Sequence, residues 1–211
     1  MKLVRPVVAV AALACLTGGV TANAATKPKP KPLCNQITDE SGDAGIVTAQ
    51  PGMDILSADI ASDAKHVTAV IRLAGEPKGT NPQAPGGTNY YFDFTAPGSD
   101  NVQYLSAAVP FSGAPTFATG QVTTTGGQNL STDDSNSGAT GSIKGSILTI
   151  NAPVSAFTRV TMKPGTKISS LAVEVRALIG VAGTGDLVLA DDASGAKPYV
   201  GGAAVCVKPS A

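Results

Sequence analysis

The stretch ISSLAVEVRALI, residues 168–179, decides the fold. Its length would allow a helix. Its pattern argues for a strand: Leu171, Val173, Val175 and Ala177 recur at every second position, with Glu174 and Arg176 between them. Period two with valine at the apolar positions predicts a strand with one buried and one solvated face.

The same period recurs on both sides of that stretch. Residues 54–61 put Leu56, Ala58 and Ile60 on one face, and Ile55, Ser57, Asp59 and Ala61 on the other. After the turn Ser62-Asp63-Ala64-Lys65, residues 66–73 return with Val67, Ala69, Ile71 and Leu73 in phase, which is a hairpin signal. Residues 89–95 place Tyr90, Phe92 and Phe94 on one face and Tyr91, Asp93 and Thr95 on the other. Further strands are expected at 101–109, 117–124, 142–151, 187–190 and 203–207, with Gly145 marking a bulge inside the 142–151 strand. Residues 75–88 read as loop, and 125–140 as a polar loop at a hairpin tip. Residues 153–164 have room for one short helical turn. About nine strands and no long helix imply an all-β antiparallel β-sandwich, jelly-roll-like. Composition agrees: 24 Gly and 15 Pro favour turns, and 43% hydrophobic residues suffice for a core.

The N-terminus reads as an export signal over residues 1–25. Lys2 and Arg5 precede a short apolar run, and Ala22-Asn23-Ala24 fits cleavage after Ala24 or Ala25. The alternative is a lipid anchor on Cys15, behind a poor lipobox, Ala12-Leu13-Ala14. Residues 26–33, rich in Lys and Pro, form an extended tether, and 34–208 the β-sandwich domain. The apolar run is too short to span a bilayer, so no transmembrane segment is expected. The chain is formally neutral, but five of its 15 basic residues lie in the leader and tether. The remaining domain is therefore acidic, which argues against nucleic acid. Cleavage leaves Cys34 and Cys206, and an even pair in an exported chain predicts a disulfide between them. Closing so long a loop is worth about 5 kcal/mol on the chain-entropy model.

The order of features resembles secreted bacterial sandwich domains of the DOMON-like and family-9 carbohydrate-binding superfamily. The matching pieces are Asp39-x-x-Gly42-Asp43, Asp54-Ile55, Tyr90-Tyr91-Phe92, Leu148-x-Ile150-x-x-Pro153, Ala190-Asp191-Asp192-Ala193 and Tyr199-Val200-Gly201. The resemblance implies calcium at the acidic turn and sugar held by aromatic side chains, especially Trp. This chain departs from the pattern in having no Trp. Some members of the superfamily hold haem through Met and His; here the expected mature domain offers only Met53, Met162 and His66 for that role, with no spacing to recommend them.

Calcium takes six to eight hard oxygens. Asp39 and Asp43 converge around Gly42, and a Cys34–Cys206 bond brings Asp191 and Asp192 near, with Asp192 as the favoured third ligand. A solvated acidic turn is the plainer alternative. Tyr91 and Asp93 are the candidate ligand-binding pair on a solvent-facing sheet surface, against a purely packing role for the aromatic strand. His66 is expected to be exposed. Gly-x-Ser-x-Gly and His-Glu-x-x-His are absent, so no catalytic residue is assigned. The expectation is a non-catalytic extracellular binding or accessory module, directed at a glycan or cell-envelope component. The alternatives are a structural envelope domain or, third, a hydrolase built on a carboxylate pair invisible in sequence.

Overall fold

The computed structural model describes residues 34–45, 50–63, 65–78, 84–96, 99, 101–125, 128–134, 137–157, 167–179, 186–195 and 199–200. The leader, the tether, Cys15, Cys206 and the strand expected at 203–207 lie outside them. Twelve strands are described, ten of them five residues or longer. They form an antiparallel β-sandwich, as the period-two pattern predicts.

One sheet has five strands in the order β1-β2-β3-β9-β8: Ile37–Thr38, Ile55–Ser62, His66–Leu73, Ile147–Pro153 and Thr140–Lys144. The other has seven. Its main path runs β11-β10-β4-β5-β6-β7, that is Asp186–Gly195, Lys167–Ile179, Thr88–Thr95, Val102–Val109, Thr116–Thr125 and Gln128–Asp134; β12, Tyr199–Val200, pairs with β10. Adjacent strands in sequence form hairpins, and the chain crosses between sheets after β3, β7 and β9.

The deciding stretch is β10. Its Leu171, Val173, Val175 and Ala177 are buried, while Glu174 and Arg176 are half-buried on the opposite face. Ile168 is out of phase with them yet fully buried. The reason is a bulge: the register with β4 jumps between Ser169 and Ala172, and Ser170 takes a φ of 53°. In β4, burial alternates without a break, so Tyr90, Phe92 and Phe94 enter the core between the sheets.

The turn after β2 forms as its residues dictate. Asp63 accepts hydrogen bonds from the backbone N–H of Lys65 at 2.7 Å and His66 at 2.8 Å. Those bonds hold its pKa below the ordinary value. His66, at the start of β3, is exposed.

Two expectations are corrected. Residues 125–140 are not simply a loop: β7 lies within them, paired with β6. It is an edge strand rich in polar residues, so no apolar alternation marks it. Residues 142–151 are not one bulged strand either. They belong to β8 and β9, with Gly145-Ser146 as a two-residue turn in which Gly145 has a φ of +59°. The short helical turn expected after 153 is Val154–Ala156.

A polar network buttresses the outward side of the five-stranded sheet. Asp59 is fully buried, and its Oδ2 accepts from Arg72 at 2.6 Å. Its Oδ1 accepts from the Gln36 N–H at 2.9 Å. The Gln36 side chain bonds both backbone groups of Ile60, at 3.0 and 2.9 Å, continuing the β1–β2 ladder past Ile37.

A carboxylate seam between the sheets

At one edge of the sandwich, β1 and β2 of one sheet meet β11 of the other. Gly195 marks how close they come: a Cβ there would lie 2.4 Å from the Gln36 carbonyl oxygen. The loop leaving β1 stitches the seam. Asp39 donates its N–H to the Leu56 carbonyl at 3.1 Å, and Gly45 donates to the Ala190 carbonyl at 2.8 Å. Along this loop lie Asp39 and Asp43, and both face Asp191 of β11. One carboxylate oxygen from each of the three lies within 4.8 Å of the others.

Asp191 reaches the seam because of a bulge. The β10 register pairs Val175 with Asp191 but Arg176 with Leu189, which leaves Ala190 as an extra residue. Asp191 therefore shares the inward face with Val175 and Ala193. Its Oδ2 accepts the Ile55 N–H at 2.6 Å, a direct bond from one sheet to the other. Asp192 stands opposite Glu174, on the outward face, and is exposed. The sequence reading favoured Asp192 as the third carboxylate; the geometry groups its neighbour with Asp39 and Asp43.

Asp54 is a fourth carboxylate, which the sequence reading took only as the start of a strand. It is 6% exposed, and its Oδ2 accepts the Gly42 N–H at 2.8 Å, so it is aimed into the turn between Asp39 and Asp43. Its Oδ1 is buried without a partner, as is Asp39 Oδ2. The local signal for Asp54 is a carboxylate one residue before a buried strand, an expensive place for a charge with nothing to meet.

The electrostatics follow from this crowding. Burial raises the Asp39 pKa, the Glu40 N–H opposes it, and the charges of Asp43, Asp192 and Asp54 raise it further. Burial pushes Asp191 up to about 6, against the Ile55 N–H and with help from Asp39 and Asp43. The charges acting most on these two groups are all negative. Gathered carboxylates relieve such repulsion by taking up protons or a cation. The donor set is oxygen only, which suits a hard ion such as calcium and not a thiolate- or imidazole-seeking metal.

The other predicted pair lies elsewhere, on the outward face of the larger sheet. Tyr91 is half-buried and meets the edge of Tyr104 at 5.5 Å and 83°. Tyr104 in turn covers Gly120, where a Cβ would fall 2.2 Å from its hydroxyl. Asp93 stands opposite Tyr104 in the ladder, and Glu174 opposite Tyr91. Arg176 donates to Glu174 Oε2 from Nε at 2.8 Å and from a terminal nitrogen at 2.5 Å. Burial, then the Glu174 charge, lifts Asp93 to about 7, against the pull of Arg176. For Arg176 itself burial works against the charge, but the bonds to Glu174 hold its pKa above the ordinary value. This face thus combines an aromatic edge with fixed donors and acceptors. Cys34 is exposed just ahead of β1, and its expected partner Cys206 is outside the described residues.

No protein-family model matches the chain. No curated protein matches it either. Among solved structures, the chain is similar to a candidate carbohydrate-binding protein from Bacteroides uniformis, at 12% identity and a TM-score of 0.37, over 69% of this chain and 73% of that one. Among the described residues no helix is long and apolar enough to cross a membrane.

Proposed function

We propose that the chain is an exported, non-catalytic binding module whose two sheets are fastened at one edge by a calcium ion. The observation that carries the calcium reading is the convergence of Asp39, Asp43 and Asp191 within 4.8 Å. The unpartnered oxygens of Asp39 and Asp54 support it. In this reading Asp39, Asp43, Asp54 and Asp191 hold the ion, and calcium replaces a costly repulsion with a bridge from β1 and β2 to β11. Binding to the native state alone raises its melting temperature by mass action. The test compares melting in calcium chloride and in chelator, where a rise of several degrees is expected. Asp43 is exposed, so Asp43→Asn should fold normally yet lose that response. Identical melting curves in calcium and chelator would sink the reading.

Binding is assigned to the outward face that carries Tyr91 and Asp93, and the partner to an extracellular glycan or cell-envelope component. Support comes from an aromatic edge beside a fixed Glu174–Arg176 pair, the kind of surface that stacks on and hydrogen-bonds to a polar partner. A glycan array with the intact chain and with Tyr91→Ala checks this; retention unchanged by the substitution would reject that face. Export and the Cys34–Cys206 bond belong to the same reading, and it is consistent with Cys34 not being a free thiol. Mass spectrometry of the mature protein should find cleavage after Ala24 or Ala25, and the mass should rise by two hydrogens on reduction. A lipid on Cys15 would show there instead.

A further inference from the structure

The outward side of the five-stranded sheet is closed to solvent at its centre. Val70 stands opposite Asp59 in the β2–β3 register, and Arg72 opposite Ser57. Their neighbours along the strands, Ile60 and Ile71, point the other way, into the core. Val70 is no member of that core, yet it is 0% exposed, as is Asp59, and Arg72 is 3% exposed. Side chains on the open face of a sheet stand out into solvent, so a valine and an ion pair there stay dry only under a cover. Among the described residues no further strand is stacked on this side. Gln36 and Arg72 each make a further interaction beyond the bonds given above.

Both ends of the domain lead to this face. The chain enters β1 from the same side: Asn35 has a φ of 54°, and the Gln36 N–H that follows donates to the outward Asp59 carboxylate. Cys34 therefore borders the covered face. At the other end, β12 stops at Val200, opposite Lys167. The positions from Val200 to Cys206 reach about 20 Å when extended. Gly195 already lies against Gln36, so that reach suffices. The run Ala203-Ala204-Val205-Cys206-Val207 is wholly apolar, between Gly201-Gly202 and Lys208-Pro209. Such a run needs a dry place, and its small side chains allow close approach to a sheet. The N-terminal tether makes a poorer cover, because it would bury Lys27, Lys29 or Lys31 near the Arg72 charge.

We propose that residues 203–207 lie as a strap across the outward side of the five-stranded sheet, over Val70 and the Asp59–Arg72 pair. The strap rests on the proposed Cys34–Cys206 bond, which pins it beside Gln36. Its apolar side chains meet Val70 and keep water from the ion pair, whose attraction is stronger there than on a wet surface.

The test uses the full mature chain with a photo-reactive diazirine amino acid in place of Val205. After irradiation, peptide mapping should find crosslinks within the chain to β2 or β3, around Asp59 and Val70. Crosslinks confined to other strands, or none at all, overturn the proposal. So does a crosslinked dimer, which makes a second copy the cover. A diazirine in place of Lys29 that reaches Val70, when the one at 205 does not, overturns it in favour of the tether. A second measurement needs no substitution. Phenylglyoxal should modify Arg72 far more slowly than the half-buried Arg176, and equal rates overturn the proposal. Reduction with dithiothreitol, or Cys206→Ser, should speed the Arg72 reaction about tenfold as the strap loses its pin. Where the bond is present, a rate unmoved by cutting it counts against the strap. The bond itself is scored apart, by counting thiols: crosslinks to β3 in a chain with both thiols free reject the disulfide and keep the strap.

Discussion

Two side chains concentrate the chemistry at the scale of single residues. Asp93 titrates near 7 in the folded chain against about 4 when unfolded. The folded state therefore holds its proton more tightly between those values, and stability falls as pH climbs through that window. Asp93→Asn should flatten the slope and stabilise the protein at pH 8 by about 1–2 kcal/mol. This is less than the full shift implies, because the carboxyl is only half-buried. Urea unfolding at pH 5 and pH 8 measures it; parallel slopes in both proteins would count against this account. Asp59 is the opposite case. Its charge is buried and served by both Arg72 and the Gln36 N–H. Arg72→Ala strands it and should cost about 3–5 kcal/mol in the same assay.

At the scale of elements, β10 is paired along most of its length, by β11 on one side and β4 on the other. Its amides should be among the slowest to exchange with deuterium, and those of the edge strand β7 among the fastest. Equal rates in the two would contradict the strand order. Gly145 gives a smaller test: Gly145→Ala forces a side chain into a left-handed turn and should cost about 1 kcal/mol. Strands with an apolar face were legible, since Leu171 to Ala177 and Tyr90 to Phe94 write their burial into every second position. The strand β7 was not, because an edge made of Gln, Asn, Ser, Thr and Asp carries no such alternation. Gly145 reads as a bulge within one strand and not as a turn, because apolar residues flank it on both sides and a lone glycine inside a strand pattern is the usual mark of a bulge.

The whole molecule is two sheets that touch through a core and are stitched at one edge. The acidic turn at Asp39 and Asp43 could be read from the chain because its members are neighbours in sequence. Asp191 and Asp192 come near it in sequence terms only through the expected Cys34–Cys206 bond, since 136 positions separate Ile55 from the carboxylate that caps its N–H; Asp54 reads only as the start of a strand. What decided between Asp191 and Asp192 was one bulge in β11, and strand periodicity alone does not announce a bulge.

That extra residue at Ala190 also settles how forgiving the edge is. Ironed flat, the strand would set Ala190 against Val175 and so turn Asp192 inward and Asp191 outward. Because the chain carries an acid at both positions, a slip of one place exchanges one aspartate for its twin instead of losing it. The doublet thus keeps a carboxylate on the inward face of this edge in either register.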